Sequence, residues 1–137
     1  MVGPWSAVAA AKVGREWFTG STLGAVSRLA RVNADNGGPM LRRMVSRTLY
    51  QDRPFVAALV QVFMRQGFDD ATLMLRTSRD GGLTWTQGKP RAIRAGAYAD
   101  RVTWRALGQF RQSLTVDVTI SDPVDVPLWG DGLLEVA

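Results

Sequence analysis

Ser113-Leu114-Thr115-Val116-Asp117-Val118-Thr119-Ile120 is the stretch on which the fold turns. Leu114, Val116, Val118 and Ile120 fall on one side of an extended chain, and Ser113, Thr115, Asp117 and Thr119 on the other. A strict period of two marks a β-strand with one face on a core and one in water. The same period runs through residues 72–78 (Thr-Leu-Met-Leu-Arg-Thr-Ser) and 101–107 (Arg-Val-Thr-Trp-Arg-Ala-Leu). In the second, Val102, Trp104 and Ala106 are expected inward, and Arg101, Thr103 and Arg105 outward. Asp80-Gly81-Gly82, Gly108-Gln109, Ser121-Asp122-Pro123 and Gly130-Asp131-Gly132 read as the turns between strands.

Working outward, residues 54–64 are a continuous apolar run with Phe55, Val56, Leu59, Val60, Val62 and Phe63. The leading proline and the β-branched and aromatic content predict a long strand covered on both faces. The front of the chain is less regular. Alanine favours a helix over residues 8–12, but Gly14, Gly20 and Gly24 break the segment at strand-like intervals, and short strands are expected. Asn33-Ala34-Asp35-Asn36-Gly37-Gly38-Pro39 is a dense turn cluster. With 137 residues and no obvious linker, a single domain over 1–137 is expected, with 1–12 as an extended arm. The fold class is mainly β: an antiparallel β-sandwich or a partial propeller-like β domain.

Composition narrows the chemistry. Hydrophobic residues at 46% and charged residues at 21% are ordinary globular usage, which excludes wholesale disorder. No apolar run approaches the roughly 18 residues of a helical membrane span. Residues 6–11 are apolar, but Lys12 follows rather than precedes them, so no export signal is read. Without cysteine or histidine there is no zinc finger, thiolate nucleophile or imidazole base. The expectation is no enzyme and no cofactor. The formal charge of +5 is carried mostly by arginine, since only Lys12 and Lys89 are lysines. Arginine suits bidentate pairing with phosphate or carboxylate, so an acidic partner and intramolecular ion pairs both fit.

Ser78-Arg79-Asp80-Gly81-Gly82-Leu83-Thr84-Trp85 carries the most specific pattern. Asp80 can accept backbone N–H groups, Gly82 can take positive φ, and Trp85 can fold back as an anchor. The pattern resembles the Asp-box hairpin of sialidase-like β-propellers, in which Ser78, Asp80, Gly82, Thr84 and Trp85 would be structural rather than catalytic. Arg101-Val102-Thr103-Trp104-Arg105-Ala106-Leu107-Gly108 and Ser121-Asp122-Pro123-Val124 follow in order, and Asp35-Asn36-Gly37-Gly38-Pro39-Met40-Leu41-Arg42-Arg43 precedes. Together these resemble the C-terminal region of the packaged-DNA stabilisation, or tail-hub, proteins of short-tailed bacteriophages, over residues 13–124. Those proteins are usually several times longer, so the chain is expected to be a reduced member or a fragment.

The resemblance implies a structural virion protein of the head–tail junction or tail hub, made in the host cytoplasm, that forms part of the DNA-exit channel and helps retain packaged DNA. Because 137 residues cannot close a propeller and open strand edges must be covered, a ring homo-oligomer, hexamer or dodecamer, is expected, touching portal, adaptor or other tail proteins, with non-specific contact to packaged double-stranded DNA and no membrane partner. Arg91, Arg94, Arg101, Arg105 and Trp129 are the interface or DNA-channel candidates. Lys89, Arg91 and Arg94 are expected on a Gly/Ala/Pro-rich loop. Arg101 and Arg105 are expected to face phosphates or carboxylates of the Asp100 or Asp117 kind, while Trp5, Trp17 and Trp129 could anchor partners or cap the core. Asp69 and Asp70 lack a third ligand, so no metal is expected. Two alternatives stand beside this reading: a carbohydrate-binding, sialidase-related Asp-box module, and a free basic DNA-binding domain.

Overall fold

The computed structural model describes residues 7–30, 34–35, 38–64, 69–97, 101–124 and 128–137, without the side chains of 34, 35 and 128–131. The described residues are mainly β, with 64% in strands and several antiparallel sheets. The chain divides into two compact units, Met1–Met40 and Leu41–Ala137.

In the first unit, β1 (Ala7–Val13), β2 (Glu16–Ser21) and β3 (Val26–Leu29) form a sheet in that order. Residues 7–12 of the expected arm are therefore paired strand. The alanines yield their helical preference because Ala9, Ala10 and Ala11 lie opposite Gly20, Thr19 and Phe18, and Gly14 makes the tight β1–β2 turn at φ 62°. Ser21 closes the next turn, its Oγ accepting the N–H groups of Leu23 and Ala25 at 3.2 Å. The Asn33 to Pro39 cluster contains a minimal hairpin, β4 (Ala34–Asp35) with β5 (Gly38–Pro39).

The second unit holds β6 (Arg42–Val45), β7 (Leu49–Tyr50), β8 (Phe55–Met64), β9 (Ala71–Ser78), β10 (Lys89–Ile93), β11 (Val102–Phe110), β12 (Ser113–Ile120) and β13 (Leu128–Val136). One sheet runs β10-β9-β12-β6, with β7 also on β12, and the other runs β11-β8-β13. Both contribute to one core: Leu73, Leu75, Ile93, Leu114, Val118 and Ile120 from the first, and Phe55, Val60, Val62, Trp104, Leu107 and Phe110 from the second. This is a β-sandwich in which no barrel closes. Each large side chain so buried contributes about 1.5–3 kcal/mol. Phe55 stacks on Phe110 across the β8–β11 ladder, with centroids 5.8 Å apart. At one seam between the sheets Trp104 Nε1 donates to Lys89 O (2.9 Å) and Arg91 Nε to Thr103 O (3.2 Å).

Several expectations change. The outer row of β12 is not in water: Thr115 and Asp117 are buried as fully as the apolar row. Ala106 does not point inward. Register shifts between Arg105 and Gly108, so Ala106 and Leu107 together oppose Ala58. Ala106 sits exposed at φ 52°, and Leu107 takes the core position. This is a β-bulge, which resets the inward parity of a strand. Gly108-Gln109 lies within β11 and Gly130-Asp131-Gly132 within β13, so neither is a turn. Residues 89–93 are a paired strand rather than loop. Strand β8 is covered on both faces only around Leu59 and Val60, while Val56 is 42% exposed.

Candidate functional site

The Asp-box segment follows β9 and satisfies itself. Ser78 Oγ donates to Asp80 Oδ1 (2.6 Å) and accepts the N–H of Gly82 (2.8 Å). Asp80 accepts the Thr84 N–H through Oδ1 (2.9 Å) and the Thr84 hydroxyl through Oδ2 (2.5 Å). These donors hold the Asp80 carboxyl well below the usual carboxylate range, the Ser78 hydroxyl being the largest cause. Gly82 has φ 102°, and a Cβ there would stand 3.3 Å from Trp85 Cζ2, so the position favours glycine twice over. The Thr86 N–H donates to Thr77 O (2.9 Å), closing the hairpin. With its oxygens occupied by Ser78 and Thr84, Asp80 has a structural place in the turn.

Trp85 then folds back over a charged cluster that the periodicity did not reveal. Asp117, fully buried on β12, accepts Arg43 Nε of β6 at Oδ1 (2.9 Å) and Arg76 Nη2 of β9 at Oδ2. The two guanidinium groups lie 5.5 and 5.6 Å from the Trp85 ring centroid. A buried carboxylate is tolerated when paired and hydrogen-bonded, and each cation gains further from the ring face. The Asp117 bond raises the pKa of Arg43. Asp117 is therefore occupied within the chain by Arg43 and Arg76; Asp100 lies outside the described residues. The available signal was a lone carboxylate in a row otherwise made of Ser and Thr, with Arg76 on a neighbouring strand.

The sequence candidates divide. Arg91 on β10, Arg94 just after it and Arg101 just before β11 line one groove of about 450 Å³, together with Ala92, Ile93, Ala97, Val102 and Thr103. Arg105 is exposed on β11 and does not line it. Trp129 belongs to β13, but its side chain lies outside the described residues, as does Trp5; Trp17 is 49% exposed on β2. Asp70 Oδ1 accepts the Ala95 N–H at 2.8 Å. Among the described residues no group of three Asp or Glu side chains could hold a metal ion, and no helix is long and apolar enough to cross a membrane.

Comparison with known proteins adds no further identification: the chain matches no family model and no curated protein.

Proposed function

We propose that the protein is a non-enzymatic structural component of a short-tailed phage virion, at the head–tail junction or tail hub, where a ring of copies forms part of the DNA-exit channel and helps retain packaged DNA. The observation that carries this reading is the ordered set of anchors on a β framework. The Asp-box hairpin follows β9, Arg-Val-Thr-Trp-Arg-Ala-Leu-Gly runs along β11, and Ser121-Asp122-Pro123-Val124 follows β12. The self-satisfied Asp-box favours a scaffold role over glycan chemistry, because its carboxylate is committed to the turn.

Light scattering on the purified protein over a concentration series, at low and high salt, alone and mixed with portal rings, tests the proposal. A discrete ring, hexameric or dodecameric, or stoichiometric capture by the portal supports it. A monomer under every one of these conditions overturns it.

A further inference from the structure

We propose that the groove between β10 and β11 is a phosphate-binding site, in which Arg91, Arg94 and Arg101 converge on one phosphate or on successive phosphates of a nucleic acid backbone. This inference deepens the DNA-retention part of the virion reading and rests on it for the nucleic acid, while the groove's geometry is tested separately from ring assembly.

Three arginines reach the groove from three places in the chain, and its lining includes no Asp or Glu among the described residues. Arg28 pairs with Glu16, and Arg43 and Arg76 share the single carboxylate of Asp117, whereas the three groove arginines form no ion pair among the described residues. Like charges held together without a counterion repel one another, and an anionic ligand relieves that repulsion. Two of the three are held by contacts that leave their charge uncompensated. Arg91 donates through Nε to Thr103 O (3.2 Å) and through Nη1 to Pro90 O (3.4 Å), leaving Nη2 for a ligand. Arg101 lies over the Phe63 ring at 4.9 Å, a stacking contact that uses none of its N–H donors. Arg94 accepts the Ala97 N–H at its carbonyl (3.2 Å), while its side chain makes no hydrogen bond or ion pair with the described residues.

Among the described residues, carboxylates flank the groove rather than line it. Arg94 also borders a smaller hollow containing Asp70 and Asp122. Asp70 accepts the Ala95 N–H and Asp122 accepts the Thr72 N–H, so both fasten backbone. The Asp70 bond fixes the turn next to Arg94, which lowers the ordering cost of binding.

Guanidinium forks match phosphate oxygens in pairs, which favours phosphate over a spherical anion. Among the described residues no aromatic side chain lines the groove, which favours recognition of a nucleic acid by its backbone, independent of sequence.

The test measures binding of a short labelled DNA duplex by fluorescence anisotropy, and of inorganic phosphate and pyrophosphate by calorimetry, at about 50 and about 200 mM salt. The groove variant Arg91→Ala/Arg94→Ala/Arg101→Ala is compared with Arg15→Ala/Arg53→Ala/Arg111→Ala, which removes the same charge from exposed positions outside the groove. The single variant Arg94→Ala, which breaks no bond among the described residues, guards against loss of fold. The groove variant is expected to bind about tenfold or more weakly, with a salt slope reduced by about 0.9 per phosphate contact removed. The control should stay close to wild type, and Arg94→Ala should fall between. Loss of duplex binding alone assigns the site to a nucleic acid backbone. Parallel loss of inorganic phosphate or pyrophosphate binding assigns it to a free phosphate. Equal weakening by both triple variants, wild-type binding by Arg94→Ala, or no binding of any probe overturns the proposal. None of these outcomes bears on ring assembly, so the two readings fail separately.

Discussion

Replacing Asp117 by alanine should destabilise the Leu41–Ala137 unit by about 2–3 kcal/mol. Asp117 is fully buried and accepts one hydrogen bond from each of two guanidinium groups. A hydrogen bond to a charged partner contributes about 1.5–3 kcal/mol net, so two would approach 3–6. The arginine side chains, however, are 40% and 35% exposed, and on losing Asp117 they can take up water. That exchange brings the expected loss down to about 2–3 kcal/mol. For a unit of this size the effect is a fall in melting temperature of roughly 8–24 °C. The assay is urea unfolding followed by tryptophan fluorescence, in a double-mutant cycle of Asp117→Ala with Arg43→Ala. The cycle should return a coupling of about 1 kcal/mol or more, because the two groups share one interaction. A loss below about 0.5 kcal/mol for Asp117→Ala, or strictly additive losses in the cycle, would refute the reasoning that the buried carboxylate fastens β6, β9 and β12 together.

The Asp80 carboxyl is held below its unfolded value, so its contribution to stability is present above about pH 4 and fades as pH falls below that. The urea midpoint of the wild type should therefore drop more steeply on acidification than that of Asp80→Asn, and parallel curves would contradict the hydrogen bonds assigned to it. Ala106, a non-glycine residue at φ 52°, should accept glycine with a gain of about 0.5–1 kcal/mol, whereas Ala106→Val should lose more than about 1 kcal/mol. A loss on Ala106→Gly in thermal unfolding would count against the bulge.

Much of the second unit was legible because its code is local. Strand β12 runs over the same residues that the alternation marks out, and Gly82 and Trp85 occupy the roles their chemistry suggested. The misread positions share a cause. Ala106 and Gly108 sit at a bulge, where one extra residue inverts the inward parity and no periodic rule can anticipate it. Residues 89–93 look like loop because Pro90, Ala92, Ala95 and Gly96 punctuate the stretch 89–96, yet Met74, Leu73 and Thr72 of β9 supply a partner strand that this composition does not advertise. The groove was half visible: Arg91, Arg94 and Arg101 were all named, but on separate elements with Arg105 beside them.

By itself the sequence determined that the chain would be β, where its best strands lie and that the Asp-box would close a hairpin, because alternation and turn chemistry act between residues a few positions apart. Only the tertiary structure decided which charges meet. Asp117 lies 41 residues from Arg76 and 74 from Arg43 and reaches both, because β12 is laid between β6 and β9. Arg91 and Arg94 share a groove with Arg101 while Arg105, on the same strand face as Arg101 by alternation, stays outside it. Strand order and the seam between two sheets are long-range pairings, and the physical forces that select them depend on the packing of the whole core.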